Sequence, residues 1–189
     1  MSFMLLGILN SQAAGGGGVL AYDLLETTTL GSSASSVTFS GLGSYSDYAH
    51  LQIRYVARTS NADTDRDLHL TFNGDSGANY ARHYLEGNGS SVSSQSATSR
   101  NRIEFNTGIS GANAASSIFG SGVIDVLDAF SSNKNTTTRA LYAPFSVNRL
   151  FFHSGLWVNT SSITSMAFEP AFGDFISGSR FSLYGIKGA

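Results

Sequence analysis

The chain has 189 residues, a formal net charge of -2, no cysteine, and only 13% charged residues. That length suits one domain with a single core. A balance this close to neutral supplies no field for holding nucleic-acid phosphates, and the missing cysteines exclude disulfides, thiolate nucleophiles and cysteine-based metal centres.

Residues 1–18 read as a flexible N-terminal arm. Phe3, Met4, Leu5, Leu6, Ile8 and Leu9 make it apolar, and Gly15–Gly18 form a tether that separates it from the rest. An apolar arm on a tether suits a partner surface, so these six side chains are the candidate partner-binding residues. The same run has the small-residue flank of a signal peptide, but no Lys or Arg precedes it. Nothing later approaches the ~20 apolar residues of a membrane-spanning helix, so no membrane partner is expected.

From residue 19 to 189 the pattern is that of one all-β domain. Ala21–Leu30 and Val37–Leu42 are short runs of Thr, aromatic and branched residues bounded by Gly and Ser. In His50–Arg58 the side chains alternate: Leu51, Ile53, Tyr55 and Ala57 share one face, with His50, Gln52, Arg54, Val56 and Arg58 on the other. Asp67–Phe72 repeats this with Leu68, Leu70 and Phe72 inward, then stops at the turn signal Asn73-Gly74. These two runs read as a central pair of strands. Tyr80–Glu86 follows, and the serine-rich Ser90–Ser99 reads as a solvated loop or an edge strand.

Further strands are expected at Arg102–Phe105, Ser117–Phe119, Val123–Leu127, Thr136–Tyr142, Arg149–Val158, Ile163–Phe168 and Phe181–Ile186. A helical turn or two fits only at Ala112–Ile118 and Asp125–Phe130. Many short strands at regular spacing, with two prolines in all, predict an antiparallel β-sandwich of jelly-roll topology.

Candidate chemistry is thin. Asn73–Ala78 contains Gly-Asp-Ser-Gly, which matches the nucleophile segment of trypsin-like proteases, but no stretch supplies the histidine that mechanism needs. Asp63, Asp65 and Asp67 have the spacing with which a calcium loop opens, yet Leu68 and Gly74 stand where it requires Gly and Glu. His50, His69, His83 and His153 fall in separate strands, where hydrogen-bonded strand-face roles outweigh metal binding. Glu86, Glu104 and Glu169 share no motif, and Trp157 could either stack on a sugar or sit in the core. No catalytic residue, metal site or cofactor is predicted.

Four stretches together carry a resemblance: MSFMLLGILNSQAAGGGG, YDLLETTTLGSSASSVTFSGL with HLQIRYVART, LHLTFNGDSGANYARHYLEGNG, and FISGSRFSLYGIKG. They resemble uncharacterised virion structural proteins of tailed phages, especially those of marine and cyanobacterial hosts. The resemblance implies a non-enzymatic β-sandwich on a virion, as a capsid decoration or cement protein, with a tail or head fibre adhesin for host carbohydrate as the alternative. It implies other virion proteins, a major capsid or tail protein, as partners. A closed homo-oligomer is the default for such a protein, and a trimer is the expected state.

Overall fold

The computed structural model describes residues 22–188, and the arm residues Phe3, Met4, Leu5, Leu6, Ile8 and Leu9 lie outside them. The described residues form β1 (Tyr22–Thr29), β2 (Val37–Ser40), β3 (His50–Ala57), β4 (Asp65–Phe72), β5 (Tyr80–Gly87), β6 (Val92–Arg100), β7 (Ile103–Ser110), β8 (Gly120–Leu127), β9 (Thr136–Ala143), β10 (Leu150–Trp157), β11 (Ser165–Pro170) and β12 (Arg180–Ile186). A 3-10 turn at Leu42–Tyr45 is the one helical segment among them.

Two antiparallel sheets pack as a sandwich, one of eight strands in the order β1-β12-β3-β8-β9-β10-β5-β6 and one of four in the order β2-β11-β4-β7. The quartets β1-β12-β3-β8 and β2-β11-β4-β7 interleave as a jelly roll, because the chain crosses between sheets from β1 to β2, β3 to β4, β7 to β8 and β11 to β12. Two insertions, β5 with β6 and β9 with β10, extend the large sheet beyond that frame.

The inward faces of β3 and β4 are as the alternation predicts. Leu51, Ile53, Leu68, Leu70 and Phe72 are fully buried and Tyr55 is 2% exposed. The two strands are not a hydrogen-bonded pair, however. β3 lies between β12 and β8, whereas β4 lies between β11 and β7, so they face each other across the core from opposite sheets. Period two fixes which side of a strand is apolar and says nothing about which strand lies beside it.

Of the two readings of Ser90–Ser99 the edge strand holds, since the segment falls within β6 and its turn. Other expectations change. Ser117–Phe119 is not a strand, and Ser117 has φ 68°. Arg58, expected to face outward, is 8% exposed, and its guanidinium donates to the carbonyls of Ala112 (3.0 Å), Ala114 (2.9 Å), Ala115 (2.8 Å) and Ile118 (3.2 Å). Residues 112–118 form turns, with their carbonyls aimed inward at this one cation and not along a helical axis. At Asp125–Phe130 strand β8 runs to Leu127 and a turn follows.

The sandwich closes along one side through charge. Arg82 on β5 and Arg100 on β6 both pair with Glu104 on β7, which covers the outer edge of the small sheet. β7 is buried along almost its whole length.

Candidate functional site

The outer face of the large sheet is where the structure presents recognition chemistry. Strand registers place side chains in rows that cross the sheet. One row runs Val123, Leu141, Phe152, Leu85, Ser94 across β8, β9, β10, β5 and β6. Leu141, Phe152 and Leu85 are 53%, 55% and 51% exposed, so three large apolar side chains stand side by side in solvent. At ~4.8 Å per strand the apolar stripe is about 15 Å long.

Beside it runs a polar row: Gln52, Asp125, Arg139, Ser154, His83, Ser96. Where the two rows approach β6 they line a groove of about 430 Å³, with Phe152 and Leu85 as its apolar floor and His83, Ser94, Gln95, Ser96 and Ser154 as its polar rim. At the other end, Tyr22 and Tyr184 stack at 5.0 Å with the Arg54 guanidinium over both rings. Gln52 locks this end: its carbonyl accepts from Tyr22 (2.6 Å) and Arg54 (3.0 Å), and its amide donates to Asp125 (2.7 Å). This end of the face is thus preordered by contacts among its own side chains.

The stripe escaped the sequence reading, although a signal for it exists. In a strand, adjacent apolar residues cannot both point inward. Phe151-Phe152, Leu141-Tyr142 and Tyr84-Leu85 are such neighbours. In each, one member is buried (Phe151, Tyr142, Tyr84) and the other stands outside.

Most of the residues singled out from sequence are engaged elsewhere. Trp157 is 1% exposed and stacks in the core against Tyr80 and Phe72. His50 Nδ1 accepts the Asp128 N–H at 2.9 Å. His50 and His69 are not cross-strand neighbours, because β3 and β4 belong to different sheets. His69 lies 3.0 Å from Arg102 Nη1, and burial together with that cation lowers its pKa to about 4.

His153 is fully buried, with its Nε2–H donated to the Glu104 carbonyl at 3.1 Å. Burial outweighs that bond and lowers its pKa to about 4. Burial also pushes Glu104 up, but the hydrogen bonds and charges of Arg100 and Arg82 overcome it and the carboxyl ends below its ordinary value. Asp67 is raised by burial, against the Thr107 N–H that it accepts at 2.8 Å. Of the four histidines, His83 is the one that opens onto the groove.

In the acidic turn Asp63 pairs with Arg66, which also donates to Asn61. Among the described residues no three His, Asp or Glu side chains come together as a metal site. Asn73-Gly74 is a turn with φ 52° and 68°, and Asp75 after it binds Trp157 Nε1 (2.7 Å), Asn79 Nδ2 (2.9 Å) and the Gly77 N–H (2.8 Å).

No protein-family model matches the chain, and no curated protein matches its sequence. Among solved structures, one similar chain is a variant alginate lyase in complex with an alginate tetrasaccharide, at 8% identity and a TM-score of 0.27, covering 75% of this chain and 72% of that one. A likeness of that size bears on neither activity nor ligand.

Proposed function

We propose that this chain is a non-enzymatic structural protein of a tailed-phage virion, a capsid decoration or cement protein held by contacts with its neighbours. The observation that carries the reading is the apolar stripe Val123, Leu141, Phe152, Leu85 on the outer face of the large sheet. Three half-exposed large apolar residues in one row favour burial against another protein surface, and the flanking row of Gln52, Asp125, Arg139, Ser154 and His83 supplies the polar rim of such an interface.

Support also comes from how the ionisable groups are used. Glu104, Asp75, Asp67, His153 and His69 are committed to internal hydrogen bonds or ion pairs that hold the sandwich together. The apolar arm of residues 3–9 adds a second anchor in this reading, reaching a neighbouring virion protein, a major capsid or tail protein. The experiment is reconstitution onto particles that lack the protein. Deleting residues 1–14, and separately combining Leu141→Ser with Phe152→Ser, is expected to lower occupancy. Full occupancy by both variants contradicts the reading.

A second reading is a fibre adhesin for host-surface carbohydrate. The groove at Phe152 favours it, since an aromatic floor with a hydroxyl and amide rim has the chemistry that receives a sugar ring. Glycan-array binding that Phe152→Ala abolishes supports this reading. A flat array removes it.

A further inference from the structure

We propose that β6 is a self-pairing edge, along which two copies of this chain join antiparallel so that their large sheets become one continuous sheet. The inference rests on the strand edges alone and stands whether or not the chain belongs to a virion.

The four sheet edges differ in how they are guarded. β1 carries Asp23 and Glu26 and a register shift between Leu24 and Glu26. Charge and bulges are the devices that keep sheet edges from pairing. β2 is four residues long, and β7 is buried behind the grip of Arg82 and Arg100 on Glu104. β6 lacks these protections along Val92–Ala97, and its one register shift lies beyond that run. It runs nine residues with no proline, no lysine and no carboxylate, and its single charge, Arg100, sits at the far end paired with Glu104. Among the described residues, every β6 residue except Ala97 is exposed, and the strand's one ladder is to β5. A long strand held on a single side leaves a row of backbone donors and acceptors along its other side that no described strand uses.

A second copy is the occupant this edge fits. The pairing of β5 with β6 is regular from Val92 to Ala97 and shifts beyond it, where Ser99 has φ 55°. That regular run, VSSQSA, is uncharged, and Gln95 is its one long side chain. Set against itself about a two-fold axis near Gln95, it places Ser94 opposite Ser96 and amide opposite amide, with neither like charges nor steric overlap. A two-fold is also the symmetry that an isologous edge requires, in place of the three-fold expected from family resemblance. A second copy is favoured over a foreign peptide strand because the uncharged, small-residue run is complementary to itself. Pairing two copies has a further effect. Ser94 ends the apolar row and faces Ser96 of the other copy, so on the shared outer face each apolar stripe runs up against the other copy's polar row.

The absence of cysteine makes the edge directly testable. Sedimentation of the full chain is expected to give a dimer at about 100 μM, and Ser94→Lys with Ser96→Lys is expected to weaken it at least about tenfold while the far-ultraviolet spectrum stays that of the folded sandwich. The lysine variant keeps the arm, so an oligomer built through the arm would survive it and overturn the proposal. Cysteines placed singly at Ser93, Ser94, Gln95, Ser96 and Ala97 are expected to give an oxidised dimer, fastest at the residue on the axis, and Thr29→Cys on β1 serves as the control edge. A chain that stays monomeric, a trimer, or cross-linking no faster on β6 than at Thr29→Cys overturns the proposal.

Discussion

Asp75 accepts the Trp157 indole N–H, the Asn79 amide and the Gly77 N–H, and the Trp157 bond, with the others, holds its carboxyl below the ordinary range. The turn at Asn73-Gly74 was legible from the dipeptide alone. The role of Asp75 was not, because its main donor lies 82 residues further along the chain. Asp75→Ala leaves the buried indole N–H unpaired, and a loss of ~1–3 kcal/mol is expected in urea unfolding, with Trp157 emission shifted to the red. His153 and His69 make a second residue-scale prediction. Both have folded pKa values of about 4, below the ordinary 6.5, so the unfolded chain binds protons more readily. Their contribution is intact above pH 6.5 and is lost as pH falls toward 4. Asp67 works the other way: its raised pKa favours the folded state where it is protonated, which offsets part of the loss. Unfolding midpoints are expected to drop between pH 6.5 and 4, with His153 accounting for a loss on the order of 2 kcal/mol. His153→Gln is expected to flatten that slope, and an unchanged slope would assign the pH dependence elsewhere.

At the scale of the strand, alternation carried most of the information. The inward residues of β3 and β4 could be named from spacing because a sandwich strand has one wet face and one dry face. Sheet partners could not be named, since neighbours such as β12 and β3 are set by the route of loops far apart in sequence. Local propensity failed at Ser117–Phe119, where Ile118 and Phe119 read as strand but the segment turns so that carbonyls from Ala112 to Ile118 converge on Arg58. Gly155 shows what a position in β10 must allow. A Cβ there would stand 2.5 Å from Thr138 Oγ1 on β9 and 2.9 Å from Ile103 Cδ1 on the opposing sheet. Gly155→Val is expected to cost about 1–3 kcal/mol through overpacking, measured as a lower thermal midpoint. A variant as stable as the parent would mean that the sheets can separate locally at no cost.

Over the whole molecule, the jelly roll was legible in outline from strand count, scarce proline and regular turns. The large sheet's extension by β5, β6, β9 and β10 was not, and it is this extension that builds the apolar stripe and the groove. The stripe contributes little to the fold of a single copy, so combining Leu141→Ser with Phe152→Ser is expected to shift stability by no more than about 0.5 kcal/mol in chemical denaturation. A large loss would show that these side chains pack within their own chain. The central claim is that the outer face of the large sheet is an assembly surface on a virion. Imaging the assembled particle at residue resolution tests it most directly. The account predicts Leu85, Leu141 and Phe152 buried against a neighbouring virion protein. Particles that lack the protein, or carry it with that face turned to solvent, would contradict it.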